Sequence, residues 1–283
     1  MSITKSIEQI NERIQKGEAV VMTAEEIIPL IEELGIAEVT KRVDVVTTGT
    51  FGPMCSSGVF LNFGHSDPPI KMKKVSLNGV AAYAGVAAVD AYLGATEQSE
   101  EDPSYGGAHV IEELLAGKTV ELEATATGTD CYIKREIKTQ ISLQDINEAF
   151  MFNPRNAYQN YAAATNSTQK AIHTYMGTLL PNCTNVTYST SGELSPLLND
   201  PQFKTIGIGT KIFLGGTTGY VAWHGTQHNT HKPCNDHNIP LGGGGTLSVV
   251  GDLKQMSTEY VRAAIYHNYG ISLFVGIGIP IPL

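Results

Sequence analysis

The chain has 283 residues, 42% of them hydrophobic and 17% charged, with 29 glycines; that is the make-up of a loop-rich globular protein of one large or two small domains, not of a disordered one. A net charge of −9, from 19 basic against 28 acidic residues, argues against nucleic acid or an anionic membrane as partner, since either wants a basic patch. No basic start leads into an apolar run and no apolar stretch approaches the ~20 residues of a membrane span, so neither a secretory signal nor a membrane segment is read and a cytoplasmic protein is expected.

Ile3, Ile7, Ile10 and Ile14 share a helical face ahead of Gly17 and predict a first helix. A strand over 19–22 follows, and Thr23 with Glu26 forms a capping-box pair opening a helix to Leu34, tight or kinked at Pro29 and closed by Gly35. Residues 43–47 read as a strand that delivers a glycine-rich loop around Cys55, and 59–63 as another strand. The stretch 75–89 is ambiguous in period. Residues 106–116 read as a helix stopped by Gly117, and Val120, Leu122, Ala124 and Ala126 alternate with polar residues as a half-buried strand, with Cys131 just beyond. Ser142 predicts a helix to Phe150, followed by a loop over Phe152–Asn156 and a helix near 167–177. Residues 205–222 are strand-like, 242–250 a glycine loop feeding a strand, 257–267 a helix and 271–277 apolar.

The fold class expected is α/β or α+β, a mixed sheet with flanking helices and active-site loops at strand ends. Residues 1–283 are expected to form one catalytic domain, any subdomain boundary falling near 150–165. The end is apolar to its last residue, unlike an ordinary polar terminus, so a further segment is expected to cover Ile279–Leu283.

Four cysteines, at 55, 131, 183 and 234, are read as thiols or metal ligands and not as a disulfide framework. Cys55 sits among Gly49, Gly52 and Gly58, and Cys131 in Gly128-Thr-Asp-Cys-Tyr132 beside Asp130. Such segments let a backbone approach a ligand and leave amides free to hold a thiolate. The competing reading is an inert buried thiol. The stretch Trp223–His237 carries His224, His228, His231, His237 and Cys234, donors suited to zinc or iron. Gly225 and Pro233 break any continuous helix there, so a metal site and surface histidines without a role both rank below one or two of the histidines acting as substrate donors or acid–base groups. Gly242–Gly245, with Gly243 and Gly244 at its centre, offers backbone amides to an anion but lacks a nucleotide fingerprint. Arg155 is a fork for a substrate carboxylate or else a surface ion pair, with Asn156 and Asn160 as hydrogen-bonding companions.

Taken together, the segments 48–58, 128–132, 152–156, 223–228 and 244–254 resemble the homocysteine-biosynthesis family of anaerobes, the aspartate semialdehyde sulfurtransferases. The resemblance implies conversion of L-aspartate semialdehyde, a sulfide equivalent and reductant to L-homocysteine, with Cys55 and Cys131 as the functional thiols. It also implies a C-terminal pair of CBS domains, absent from this chain, and a separate ferredoxin-like iron–sulfur protein as electron source. On that reading Cys131 carries sulfur as a persulfide or attacks the aldehyde, Cys55 resolves the adduct, and His224 or His228 moves protons. Asp130, Arg155, Asn156, Gly243 and Gly244 would bind substrate, in a homo-oligomer. No metal is assigned, unless Cys55, Cys131 and Cys234 hold an iron–sulfur cluster. A metal-dependent hydrolase or lyase built on the His224–His237 loop, and a sulfur carrier without catalysis, are the other classes.

Overall fold

The computed structural model describes residues 5–47, 50–86, 90–192, 195–266 and 270–282. The chain begins with α1 (Ile7–Lys16), β1 (Val21–Thr23), α2 (Ala24–Leu34), α3 (Ile36–Arg42) and β2 (Val45–Thr47). Next come β3 (Thr50–Pro53), β4 (Gly58–Asn62), β5 (Lys74–Leu77), β6 (Val80–Ala82) and β7 (Asp90–Gly94). The helix α4 (Gly107–Leu115) leads to β8 (Val120–Thr125), β9 (Glu136–Ile141) and the long β10 (Glu148–Gln159). Short strands β11 (Tyr161–Ala164), β12 (Ile172–Thr174), β13 (Gly177–Leu179) and β14 (Thr187–Thr190) precede α5 (Pro196–Asn199). The last third is β15 (Lys211–Leu214), β16 (Thr217–His224), β17 (Gly245–Asp252), β18 (Val261–Tyr266), β19 (Gly270–Gly278) and β20 (Pro280–Pro282).

Nine strands make the main sheet, in the order β18-β19-β15-β16-β17-β10-β4-β7, with β3 added along β19 and every pairing antiparallel. A four-stranded antiparallel sheet runs β6-β5-β8-β9, and a small mixed sheet joins β1 parallel to β2 and β2 antiparallel to β20. The class is thus the mixed α and β one that the pattern predicts, with helices few and short. Leu61, Leu93, Met151, Leu214, Leu247 and Leu273 are fully buried in one apolar cluster against one face of the main sheet. Two-residue periodicity on these strands is what sets that face.

Several predicted elements change identity. The helix expected from Ser142 is a turn, because the amide and hydroxyl of Ser142 both bond the Asp145 carboxylate, at 2.8 and 2.7 Å. The Ser-x-x-Asp spacing that opens a helix here closes an isolated turn. From Glu148 the chain alternates, with Ala149, Met151 and Asn153 buried, and the expected loop at 152–156 lies inside β10. Pro154 is tolerated there because the register with β17 breaks between Asn153 and Ala157. The helix expected near 167–177 is the β12–β13 hairpin, and that expected from Ser257 is a turn followed by β18, whose Val261 pairs with Val275. In both, partner strands outweigh local helical spacing. The ambiguous 75–89 stretch contains the hairpin β5–β6, turned by Asn78 and Gly79 with φ of 48° and 73°. The first helix, the helix to Leu34 and that ending before Gly117 stand as expected. Ile3, Val89, His267 and Leu283 lie outside the described residues, as do the side chains of Ile7, Ile14, Thr23 and Asn156.

Candidate functional site

The strand that delivers Cys55 is β3, one element later than expected. Its pairing with β19 runs Thr50 to Ile277 through Pro53 to Phe274, and the Met54 amide continues it onto the Leu273 carbonyl at 2.8 Å. Cys55 therefore emerges opposite Ser272, a serine 1% exposed within an otherwise apolar strand. The Ser272 hydroxyl donates to Cys55 Sγ at 3.1 Å, while the cysteine itself stays exposed.

Two residues further on, Ser57 accepts a hydrogen bond from Asn153 Nδ2 at 2.9 Å, and the Asn153 carbonyl oxygen Oδ1 accepts from the Arg155 amide at 3.0 Å. One fully buried asparagine thus ties the Cys55 turn to the irregular part of β10 that carries Arg155. The glycine run of 242–245 packs against the same region. A side chain on Gly245 would fall 1.4 Å from the Arg155 carbonyl, one on Gly244 would fall 2.8 Å from Asn160 Oδ1, and one on Gly243 would lie 3.4 Å from the Tyr161 ring. Burial raises the Tyr161 phenol above its ordinary pKa, while the Arg155 charge pulls it down and the Cys55 charge pushes it up. The phenol is therefore within electrostatic reach of both, and Cys55, Arg155, Tyr161 and the glycine run form one neighbourhood. The side chain of Asn156 lies outside the described residues.

His224 ends β16 and His228 lies in the following turn, their rings 5.2 Å apart and each 4.6 Å from the ring of Phe203. Burial lowers the His228 pKa, the charge of His224 lowers it further, and a hydrogen bond to the Pro201 carbonyl works the other way. The turn is anchored to the Arg155 segment through Thr226 N–H on the Pro154 carbonyl at 2.9 Å and Gly225 N–H on that of Thr246 at 2.8 Å. His231, Cys234 and His237 are on an exposed stretch shaped by Asn235, whose side chain accepts from the His237 and Ile239 amides, both at 3.0 Å. Among the described residues no group of three or more His, Cys, Asp or Glu side chains is gathered to hold a metal ion. Cys55, Cys131 and Cys234 stand on three separate segments. As placed, they do not make the ligand set of a cluster.

Cys131 and Asp130 are exposed on a turn between β8 and β9, closed by paired backbone hydrogen bonds between Thr129 and Tyr132. The structure puts this turn on the four-stranded sheet, with no hydrogen bond between the two thiols among the described residues. Tyr132 lines a groove of about 770 Å³ with Lys71, Lys73, Lys74 and Tyr83. Sequence reasoning missed Ser272, Asn153 and Tyr161. Ser272 had one signal, a lone polar residue in an apolar run, whereas Asn153 and Tyr161 become relevant only through the pairing of β10 with its neighbours.

The family model described as homocysteine biosynthesis enzyme, sulfur-incorporation, matches residues 19–283. A protein of Methanocaldococcus jannaschii named L-aspartate semialdehyde sulfurtransferase is 58% identical over 99% of this chain, and one of the same name from Methanosarcina acetivorans 54% identical over 99%. An uncharacterized protein of Methanothermobacter thermautotrophicus is 30% identical over 100% of the chain and 63% of its own length. The chain spans about half the length of the two named relatives, 54% of each. No solved structure matches.

Proposed function

The chain belongs to the homocysteine biosynthesis enzyme, sulfur-incorporation family, and from that premise we propose that it inserts sulfur into L-aspartate semialdehyde to give L-homocysteine. What carries the reading is Cys55: an exposed thiol with a buried hydroxyl on its sulfur, on a turn that Ser57 and Asn153 tie to the backbone of Arg155, and with its charge felt by the Tyr161 phenol. Arg155 suits the substrate carboxylate, which it would hold so that the aldehyde meets the thiolate.

The chemistry runs in balanced steps. The Cys55 thiolate adds to the aldehyde carbon and, with a proton from Tyr161, gives a hemithioacetal. Hydrogen sulfide displaces the hydroxyl; His228, kept neutral to lower pH than an ordinary histidine, takes the sulfide proton and returns it to the oxygen that leaves as water. Collapse expels the Cys55 sulfur and leaves a thioaldehyde, which two electrons and two protons reduce to the thiol. The electrons come from a separate ferredoxin-like iron–sulfur protein, and Cys131, on its exposed turn, takes sulfane sulfur from a donor persulfide, whose own thiol leaves, to become a persulfide itself. Sulfur brought that way is zero-valent, so its release as sulfide consumes two further electrons. A cytoplasmic setting keeps both thiols reduced.

The test is homocysteine formation by anaerobic protein from L-aspartate semialdehyde, sulfide and a chemical reductant. Cys55→Ala is expected to lower the rate by at least ~100-fold, as loss of a nucleophile does. Turnover within twofold of the parent would remove Cys55 from the mechanism.

A further inference from the structure

Buried side-chain polar atoms without a hydrogen-bond partner are uncommon in folded proteins, and each costs stability. Among the described residues they concentrate at one place: Arg155 Nε, Asn160 Oδ1, Thr246 Oγ1, Ser248 Oγ and His228 Nδ1, with Thr187 Oγ1 and Ser195 Oγ as the remaining two. The five lie where β10 ends, β16 ends and β17 begins. Gln159 pairs with Gly245, Ala157 with Leu247, Trp223 with Ser248 and His224 with Leu247. Asn160 and Thr246 are 0% and Ser248 2% exposed.

The chemistry of the set is specific. Arg155 Nε only donates. Asn160 Oδ1 only accepts, and its identity as oxygen is fixed because Nδ2 donates to the Gly242 carbonyl at 2.9 Å. The two hydroxyls do either. An anion alone would leave Asn160 Oδ1 unmatched, and a cation alone would leave Arg155 unmatched. A zwitterion answers both. We infer that this junction is a built subsite for the α-amino carboxylate end of the substrate, in which Arg155 takes the carboxylate, Asn160 accepts from the ammonium, and the hydroxyls of Thr246 and Ser248 complete the two shells. The inference rests on the reaction proposed above, whose substrate is an amino-acid aldehyde with such a head. Gly242–Gly244 form a wall without side chains beside it, where an added β-carbon would meet only Asn160, Tyr161 and Lys232.

Thr246→Val and Ser248→Ala separate this role from a structural one, with L-homocysteine as calorimetric probe and thermal unfolding measured alongside. Removing a hydroxyl that the fold leaves unpartnered is expected to raise the melting temperature by a few degrees, while affinity for L-homocysteine falls by about threefold to tenfold per variant. Thr246→Ser, which keeps the hydroxyl, is expected to bind like the parent. Lower melting temperatures in both variants, or unchanged affinity, overturn the subsite. Parent protein that makes homocysteine beside variants that bind it normally defeats the subsite alone. Weakened variants beside a parent without turnover leave the amino-acid site standing and defeat the reaction.

Discussion

At the scale of single residues, the thiol at 55 owes its setting to a serine 217 positions away in sequence. Ser272→Ala removes the hydroxyl that, among the described residues, donates to the sulfur, and the rate of Cys55 alkylation by iodoacetamide is expected to fall as that contact is lost. An unchanged rate would show that the hydroxyl does nothing for the reactivity of the sulfur. His228 makes a second residue-scale prediction. Its pKa sits below 6.5 because burial and the neighbouring His224 charge disfavour the cation, so the neutral form survives to lower pH and the acid limb of kcat/KM is expected to have its midpoint below that value. Removing the neighbour's charge in His224→Gln leaves less opposing the cation, which moves the midpoint upward. A midpoint that moves down or not at all contradicts the coupling. How far such residues are legible in a sequence differs by type. The glycines around Cys55 advertise it, whereas Ser272 and Tyr161 acquire their roles only when β19 and β11 are brought beside it.

The element that decides the site is β10, and it is where the sequence reads worst. Its Phe-Asn-Pro-Arg-Asn segment has the composition of a loop, yet the strand continues through it because the register break absorbs the proline and β17 pairs with it before and after the break. Strands whose partners are near in sequence, such as β8, β15 and β16, are recovered by alternation alone. Turns that mimic helix starts, at Ser142 and Ser257, are not, since the signal is the same for one hydrogen-bonded turn as for many. The break brings the Arg155 carbonyl onto Gly245, where a β-carbon would sit 1.4 Å away. Backbone cannot yield as a side-chain tip does, so Gly245→Ala is expected to destabilise the fold by about 3 kcal/mol. The measurement is the urea midpoint, read with hydrogen exchange of the β10 and β17 amides. Protection lost first at Gln159 and Leu247 is the expected pattern, and an unshifted midpoint would show that the two strands are not in this register.

For the molecule as a whole, one ion pair cluster locks α1 and Lys5 just ahead of it to the sheet that also takes β20. Asp44 is fully buried beside β2, with Lys5 Nζ and Arg13 Nη1 each at 2.9 Å and the Val20 amide donating at 2.8 Å. The strand it precedes pairs with β1 on one side and β20 on the other, from Val45 with Pro282 to Thr47 with Pro280. Burial alone would raise the Asp44 pKa, but the Lys5 hydrogen bond, the Val20 amide and the two cationic charges outweigh it, and the carboxyl is held below its ordinary 3.8. A depressed folded-state pKa means that the ionised carboxylate stabilises the fold at every pH above 3.8 and that this stability drains away as pH falls through the lower folded value. Asp44→Asn leaves two cations facing a neutral amide and is expected to cost about 2–4 kcal/mol at pH 7, the lower end reflecting the partial exposure of Arg13. The gap between parent and variant in urea titrations is then expected to hold from pH 7 to about pH 4 and to narrow below it, as the parent's own carboxylate takes up its proton. A gap that widens on acidification would mean that Asp44 is destabilising when charged.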